Sequence, residues 1–471
     1  MLREISSFAP TVPARSVAAP APSEPRDGLA ASTASDPGLI PRDLAHTRVH
    51  ADNGGKIEHL ALQLDGHAIN YPNVRRNVLK AWEKLFKTMD PDVKFTLVLE
   101  NQRDRAEVER MLTSLQVPDR ERFKLIVTQG LNITMWSRDQ MVGLHDANSG
   151  QGVLLGQTTM RPHGDDPQVP PLIAEAHPDI RFDPDKRPVT DGGDEVSNNH
   201  ETFLGYASVY LTAQRLYDQA NPGQNGNPFR LNVVPVDGEG FMHPASKLER
   251  NPYCSLTADQ EVFWVSQAHH LMEEKYGKSV VVVGADDPST PEVEVPATFH
   301  IDMGLTPVDD DTVLVGDPRL AIEILQGLSP EEREQYNEHL RKATGEEGDL
   351  VQKLIDANTT DDPLLQHQFD YNAQHMEKLG YAVVRLPYLQ GPPGLSWITY
   401  NNCLMENYAR PDGSEVRRVF LPTFGLPALD DRAEATYREQ GFDVERLELP
   451  ALTAWRGAIR CISNVLDREP K

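Results

Sequence analysis

Two rhythms of apolar and polar positions alternate along the chain. At residues 60–64 the alternation predicts a strand, and over 74–89 the residues Val78, Leu79, Trp82, Leu85 and Phe86 recur at helical spacing. Strands are then predicted at 95–99 and 123–127, with a helix over 107–115 between them. Farther on, a helix over 257–276 precedes the apolar run 279–283, which reads as a buried strand. A strand at 312–315 leads into helices over 318–326, 331–344 and 366–379. Strands at 382–386 and 418–421 and a helix over 431–440 close the series. Such alternation throughout predicts an α/β chain with no separate sandwich or bundle domain. No linker of low complexity divides residues 56–471, so they are expected to form one unit. No apolar run reaches the length of a membrane span.

Residues 1–45 follow neither rhythm. They are rich in Ala, Pro and Ser, and Pro10, Pro13, Pro20, Pro22, Pro25, Pro37 and Pro41 break every candidate helix. Such a stretch buries too little apolar surface to order itself and is expected to be a disordered arm. It lacks the apolar centre of a secretory signal. An address for a specialised export system is the alternative reading.

Composition narrows the range of functions. The 471 residues include 39% hydrophobic and 25% charged side chains, enough for a sizeable core, and carry a net charge of −25. A surplus of that size repels phosphate backbones and anionic lipid, which argues against nucleic-acid and membrane-surface partners and is compatible with a cationic small substrate. The cysteines Cys254, Cys403 and Cys461 are odd in number and far apart. They form no disulfide or zinc framework, and they fit a reducing, cytoplasmic compartment. The chain has no P-loop, no G-x-G-x-x-G after a strand, no G-x-S-x-G and no H-E-x-x-H. His269 and His270 fall in a helical pattern, where adjacent side chains point about 100° apart, and read as surface or packing residues.

Four polar clusters interrupt apolar surroundings: Met135-Trp136-Ser137-Arg138-Asp139, Thr190-Asp191-Gly192-Gly193-Asp194-Glu195, Phe299-His300-Ile301-Asp302-Met303, and the segment from Gly457 to Asn464 that contains Arg460 and Cys461. Singly, each has an ordinary structural reading: an ion pair at a strand end, a turn, a surface pair, a small core residue. Paired glycines permit close approach or positive φ. Extended alternation would put His300 and Asp302 on one face.

Together and in this order, the clusters resemble the guanidino-group-modifying or pentein superfamily, which contains arginine, agmatine and peptidyl-arginine deiminases, dimethylargininases and amidinotransferases. The run from Ser396 to Asn402, the run from Val419 to Gly425, and Asp430 with the helix after it also resemble agmatine deiminases. Asp191 stands where the deiminases usually carry Glu, and Arg460 where they often carry His. The resemblance implies an α/β propeller of five ββαβ units about a pseudo-fivefold axis, with residues 56–471 as a single catalytic domain. It implies Cys461 as nucleophile, His300 as acid and base, Asp191 as its orienting group, and Asp139 and Asp302 as carboxylates gripping the guanidinium. Trp136, Asp194 and Arg460 are further expected substrate contacts. No metal or cofactor is implied. The partner is a guanidino small molecule or a peptidyl arginine. The reaction implied is deimination, with amidino transfer to an amine as the alternative and an inactive binding module as the third reading.

Overall fold

Every residue of the strand Ile57–Leu64 is buried except Glu58, because neighbours cover both its edges and both its faces. Leu60, Leu62 and Leu64 pack against Val78, Trp82 and Leu85 of the helix Pro72–Thr88, while Ala61 belongs to a second cluster with Val98 and Leu154. A strand buried on both faces usually reads as near-continuous apolar sequence; IEHLALQL departs from that by burying the polar His59 and Gln63. The computed structural model describes residues 46–469 except 67–69, 118, 161–163, 225, 235–246, 285–297, 362–363 and 393. The arm expected over 1–45 lies outside the described residues.

The same connection recurs in five sheets. Ser463–Arg468 lies antiparallel to Ile57–Leu64, the helix Pro72–Thr88 follows, and Lys94–Leu99 returns parallel, with Phe123–Val127 beyond it. Met141–Asp146 and Gln151–Gly156 form a hairpin, the helix Val169–Ala176 crosses over, and Ile180–Asp183 is parallel; Thr47–Val49 pairs on the other edge. Glu195–Ser197 and Glu201–Gly205 are antiparallel, and Ser279–Val283 adds in parallel after the helices Tyr206–Ala220 and Ala258–Tyr276. Leu305–Pro307 and Thr312–Asp317 are followed, after four helices, by the parallel strand Ala382–Leu389, which Ile398–Thr399 borders. Leu404–Ala409, Glu415–Thr423, the helix Pro427–Glu439 and Asp443–Glu448 complete the fifth. The outcome is a mixed α/β fold in which each of these five sheets contains an antiparallel pair extended by a parallel strand. The last strand of the chain closes the first sheet, which brings Cys461 beside the first central strand.

Local signals account for most element ends. Thr257 accepts from Gln260 N at 3.3 Å while Gln260 reaches back to Thr257 N at 2.9 Å, a capping box that starts Ala258–Tyr276. Gly277 ends that helix at φ +65°. Glu332, on the exposed surface, completes a capping box with Ser329 that starts Pro330–Thr344. His269 Nε2 bonds Val280 O at 3.0 Å and ties this helix to the neighbouring strand. His269, His270 and Glu273 bring their ligand atoms within 4.8 Å of one another on the outside of the helix. The helix Tyr206–Ala220 and the strands Met141–Asp146 and Gln151–Gly156 were not predicted. Residues 46–55, left unassigned by the pattern, carry Thr47–Val49 and Asp52.

A buried histidine relay crosses the first sheet. His59 Nε2 lies 2.8 Å from Thr96 Oγ1, which lies 2.7 Å from His177 Nε2. Burial, then the neighbouring His177, pulls His59 down to about 3. A histidine kept neutral in the fold but free to charge when unfolded lowers stability as pH falls through about 6.5 toward about 3, by roughly 1.4 kcal/mol per pH unit. We therefore expect a His59→Gln variant to show a shallower loss of denaturant stability than the wild type between pH 6.5 and 4. Parallel curves would show that His59 titrates alike in both states.

Candidate functional site

The four clusters meet where the C-terminal strand joins the first sheet. Arg138 N donates to Cys461 O at 3.2 Å, and Asn464 Nδ2 donates to Ser137 O and Met141 O at 3.0 and 2.8 Å. Gly192 N donates to Asp139 O at 3.1 Å, joining the second cluster to the first. The glycine pair is explained by close approach alone. A Cβ on Gly192 would stand 2.0 Å from Arg138 O, and one on Gly193 would stand 2.4 Å from His300 Nδ1. Neither glycine has positive φ, so that part of the expectation does not hold.

The H-x-D segment also departs from its expected form. His300 is extended, but Ile301–Met303 is a 3-10 turn, so the two side chains diverge. His300 Nε2 lies 2.9 Å from Asp191 Oδ2, and its Nδ1 lies 4.0 Å from Asp139 Oδ1. Asp191 also accepts from Met160 N at 2.8 Å. Asp302 turns instead to Arg460, with Nη1 to Oδ2 at 2.9 Å. Its other oxygen, Oδ1, is buried and has no hydrogen-bond partner among the described residues. Burial raises the Asp302 carboxyl, and Arg460 and His300 oppose this.

Cys461 is 3% exposed and sits in the turn before Ser463–Arg468. Asn402 holds that turn: its Oδ1 accepts from Ala458 N, Arg460 N and Cys461 N at 3.1, 3.1 and 3.2 Å, and its Nδ2 lies 3.1 Å from Cys461 Sγ. Burial, then the Asp302 and Asp139 carboxylates, pushes the thiol well above its ordinary value. Trp136 forms a wall beside it, since a Cβ on Gly457 would lie 2.3 Å from the Trp136 ring and 3.1 Å from Cys461 Cβ. Phe299 packs against both His300 and Trp397, at centroid separations of 4.5 and 5.3 Å.

Two expected substrate contacts have internal partners instead. Asp194 Oδ1 accepts from Ile301 N at 3.3 Å and its Oδ2 from Ser208 Oγ; burial raises its carboxyl to about 7. Arg460, 3% exposed, forks onto Asp52 at 3.2 and 3.1 Å, binds Asp302, and donates to Glu195 O and Gly192 O at 2.7 and 3.3 Å. A guanidinium with this many internal acceptors is not placed to receive a substrate carboxylate. Arg138 is likewise engaged, by Glu195 and Gly192 O. The sequence reading did not place Asn402 and Asp52 in the site. Asn402 ends a run that resembled the deiminases, which was an available signal; Asp52, in a polar turn, offered none.

Asn402 generates a prediction. Asn402→Ala leaves three buried N–H groups without their acceptor, each costing roughly 1–3 kcal/mol, so a fall in thermal stability is expected. Asn402→Asp keeps the acceptor but puts a second oxygen where Nδ2 faced sulfur. It should retain more stability than the alanine variant while alkylating more slowly at Cys461. Equal stability for both variants would show that the three N–H bonds contribute little.

No protein-family model matches the chain, nor does any curated protein by sequence. Solved structures do match. One assigned as an agmatine deiminase aligns at 12% identity with a TM-score of 0.54, covering 91% of this chain and 97% of that one. The agmatine deiminase of Enterococcus faecalis aligns at 11% identity and TM-score 0.50, over 93% and 99% of the two chains. A Cys-to-Ser variant of the C. jejuni agmatine deiminase with substrate bound aligns at 13% and TM-score 0.50, over 90% and 97%. At these identities the likeness establishes the fold alone, the one these solved deiminase structures share.

Proposed function

We propose that this protein is a hydrolase that deiminates the guanidino group of arginine or an arginine derivative, such as agmatine or a peptidyl arginine, and releases ammonia. What supports this reading above all is the meeting of Cys461, the His300–Asp191 pair, Asp139 and Asp302 in one buried, carboxylate-rich site. The five ββαβ sheets are read as propeller units about a pseudo-fivefold axis; their repeated connectivity favours this.

A guanidinium is planar, cationic and resonance-stabilised, so water attacks it poorly. Asp139 and the free oxygen of Asp302 accept its N–H groups and orient the central carbon. The same carboxylates that hold the Cys461 thiol protonated in the empty site are compensated when the cation enters, which favours the thiolate. Sulfur attacks the carbon, the C–N bond to the terminal nitrogen breaks, and ammonia leaves with a proton supplied by His300. The amidino group is then a thiouronium on Cys461. His300 takes a proton from water, the hydroxyl adds to the carbon, and the C–S bond breaks to regenerate the thiol and release a ureido product. Asp191 holds the imidazole through Nε2.

Transfer to an amine acceptor requires a second pocket. Arg138 and Arg460, the cations beside the clusters, are committed internally, which favours water as acceptor. The deciding experiment offers the protein arginine, agmatine and arginyl peptides with and without added amines, and measures ammonia and ureido product. Equal amounts of both, unaffected by amine, are expected. Ammonia appearing only with an amine, alongside a new guanidino compound, would move the assignment to an amidinotransferase. Cys461→Ala should bind substrate without turning it over. Asp139→Asn and Asp302→Asn should each lower kcat/KM at least roughly tenfold, since losing one partner of a buried charge pair costs about 2–5 kcal/mol.

Alkylation provides an independent check. A cationic haloacetamidine should label Cys461 first, because it carries the charge the carboxylates attract. Neutral iodoacetamide should label Cys254 first, because that thiol is exposed whereas the thiol of Cys461 is buried and pushed up. Equal preference for Cys254 with both reagents would exclude a cation-activated thiol at Cys461.

A further inference from the structure

The hydrolase reading above treats Asp302 as a carboxylate facing substrate; the following inference rests on that reading and concerns what holds Asp302. Arg460 directly precedes the nucleophile, yet its side chain turns away into the protein. Its Nη1 takes Asp302 Oδ2 at 2.9 Å, and its Nε and Nη2 fork onto Asp52 at 3.2 and 3.1 Å. The carbonyls of Glu195 and Gly192 complete its shell at 2.7 and 3.3 Å. Asp302 Oδ1 is buried and has no hydrogen-bond partner among the described residues. A planar fork with fixed directions sets the rotation of a carboxylate in a way a point charge does not.

We propose that Arg460 is a positioning residue that occupies one oxygen of Asp302, is itself anchored by Asp52, and so presents only Oδ1 to the substrate guanidinium. Asp302 then makes a single-oxygen contact with the guanidinium. Selection of substrates by the presence of a carboxylate does not pass through Arg460. The turn carrying Cys461 and the turn carrying Asp302 are held at one separation by a single side chain. Asp52, near the start of the described chain, is therefore part of the site's support although it lies 408 residues from Arg460 in sequence.

The test uses the full chain with Arg460→Gln and Arg460→Lys. Arg460→Gln removes the charge that opposes the burial-driven rise of the Asp302 carboxyl, so the acid limb of kcat/KM should move to higher pH. The fall in kcat/KM should be roughly tenfold or more, and alike for guanidino compounds with and without a carboxylate. Arg460→Lys keeps a charge but lacks the fork. It should restore the acid limb while leaving kcat/KM reduced, and this outcome decides the matter if Arg460→Gln does not fold. Melting temperature supplies a readout that needs no turnover. In Arg460→Gln the carboxylates left unpaired take up protons more readily when folded, so the deficit against wild type should shrink as pH falls from about 8 to about 5.5. A loss confined to carboxylate-bearing compounds would make Arg460 a substrate contact and overturn the proposal. An unmoved acid limb with a pH-independent deficit would reduce it to a structural residue. If the wild-type protein releases ammonia from no guanidino compound, the hydrolase reading fails, and the pH dependence of the melting deficit still decides whether Arg460 holds its buried carboxylate partners, Asp302 and Asp52, ionised.

Discussion

Charge buried away from water is the constraint on which this structure depends. Asp139, Asp191, Asp194, Glu195 and Asp302 are all buried, and two buried arginines, Arg138 and Arg460, stand among them. Each isolated ion in such surroundings costs several kcal/mol, recovered only when partners and hydrogen bonds are complete. Arg460 meets that requirement by drawing together Asp52, Asp302 and the carbonyls of the glycine-pair turn. Burial alone would pull its guanidinium down; Asp52, Asp302 and Glu195 hold it up. Asp52 in turn is held down at about 2 against the upward pull of its own burial. Loops far apart in the chain are thus fixed by one balance of charge.

The balance leaves an excess of negative charge beside the thiol. Burial first, and that excess second, keeps the sulfur protonated. In the proposed reaction the same excess of negative charge favours entry of a guanidinium. Aromatic side chains border the same space. Trp136 lies against Gly457, and Phe299 packs between His300 and Trp397. They supply apolar bulk beside the buried carboxylates.

The identity of the elements was largely written in local pattern, because burial on one face or two imposes a period that a linear reading detects. Ile57–Leu64, Pro318–Gln326 and Ala258–Tyr276 are examples, the last marked also by its Thr257 cap. Where tertiary packing overrode local periodicity the reading failed. Tyr206–Ala220 buries polar Ser208 and Thr212 beside its apolar residues, which blurs the stripe. Met141–Asp146 is a buried strand that carries a glycine and a histidine.

The candidate chemistry divides in the same way. The sequence by itself determined the residue types and their order: a tryptophan with an aspartate, a glycine pair between aspartates, a histidine near an aspartate, and a late cysteine. It left open whether the glycine pair serves close approach or positive φ; the structure decides for close approach, since only a missing Cβ leaves room for Arg138 O and the His300 ring. Only the tertiary structure decided which carboxylate meets which cation. Arg460 and Cys461 are adjacent in the chain, yet one side chain is committed to Asp52 and Asp302 and the other to the amide of Asn402. The pairing of buried charges depends on distances of a few ångströms between segments hundreds of residues apart, and no local periodicity encodes such distances.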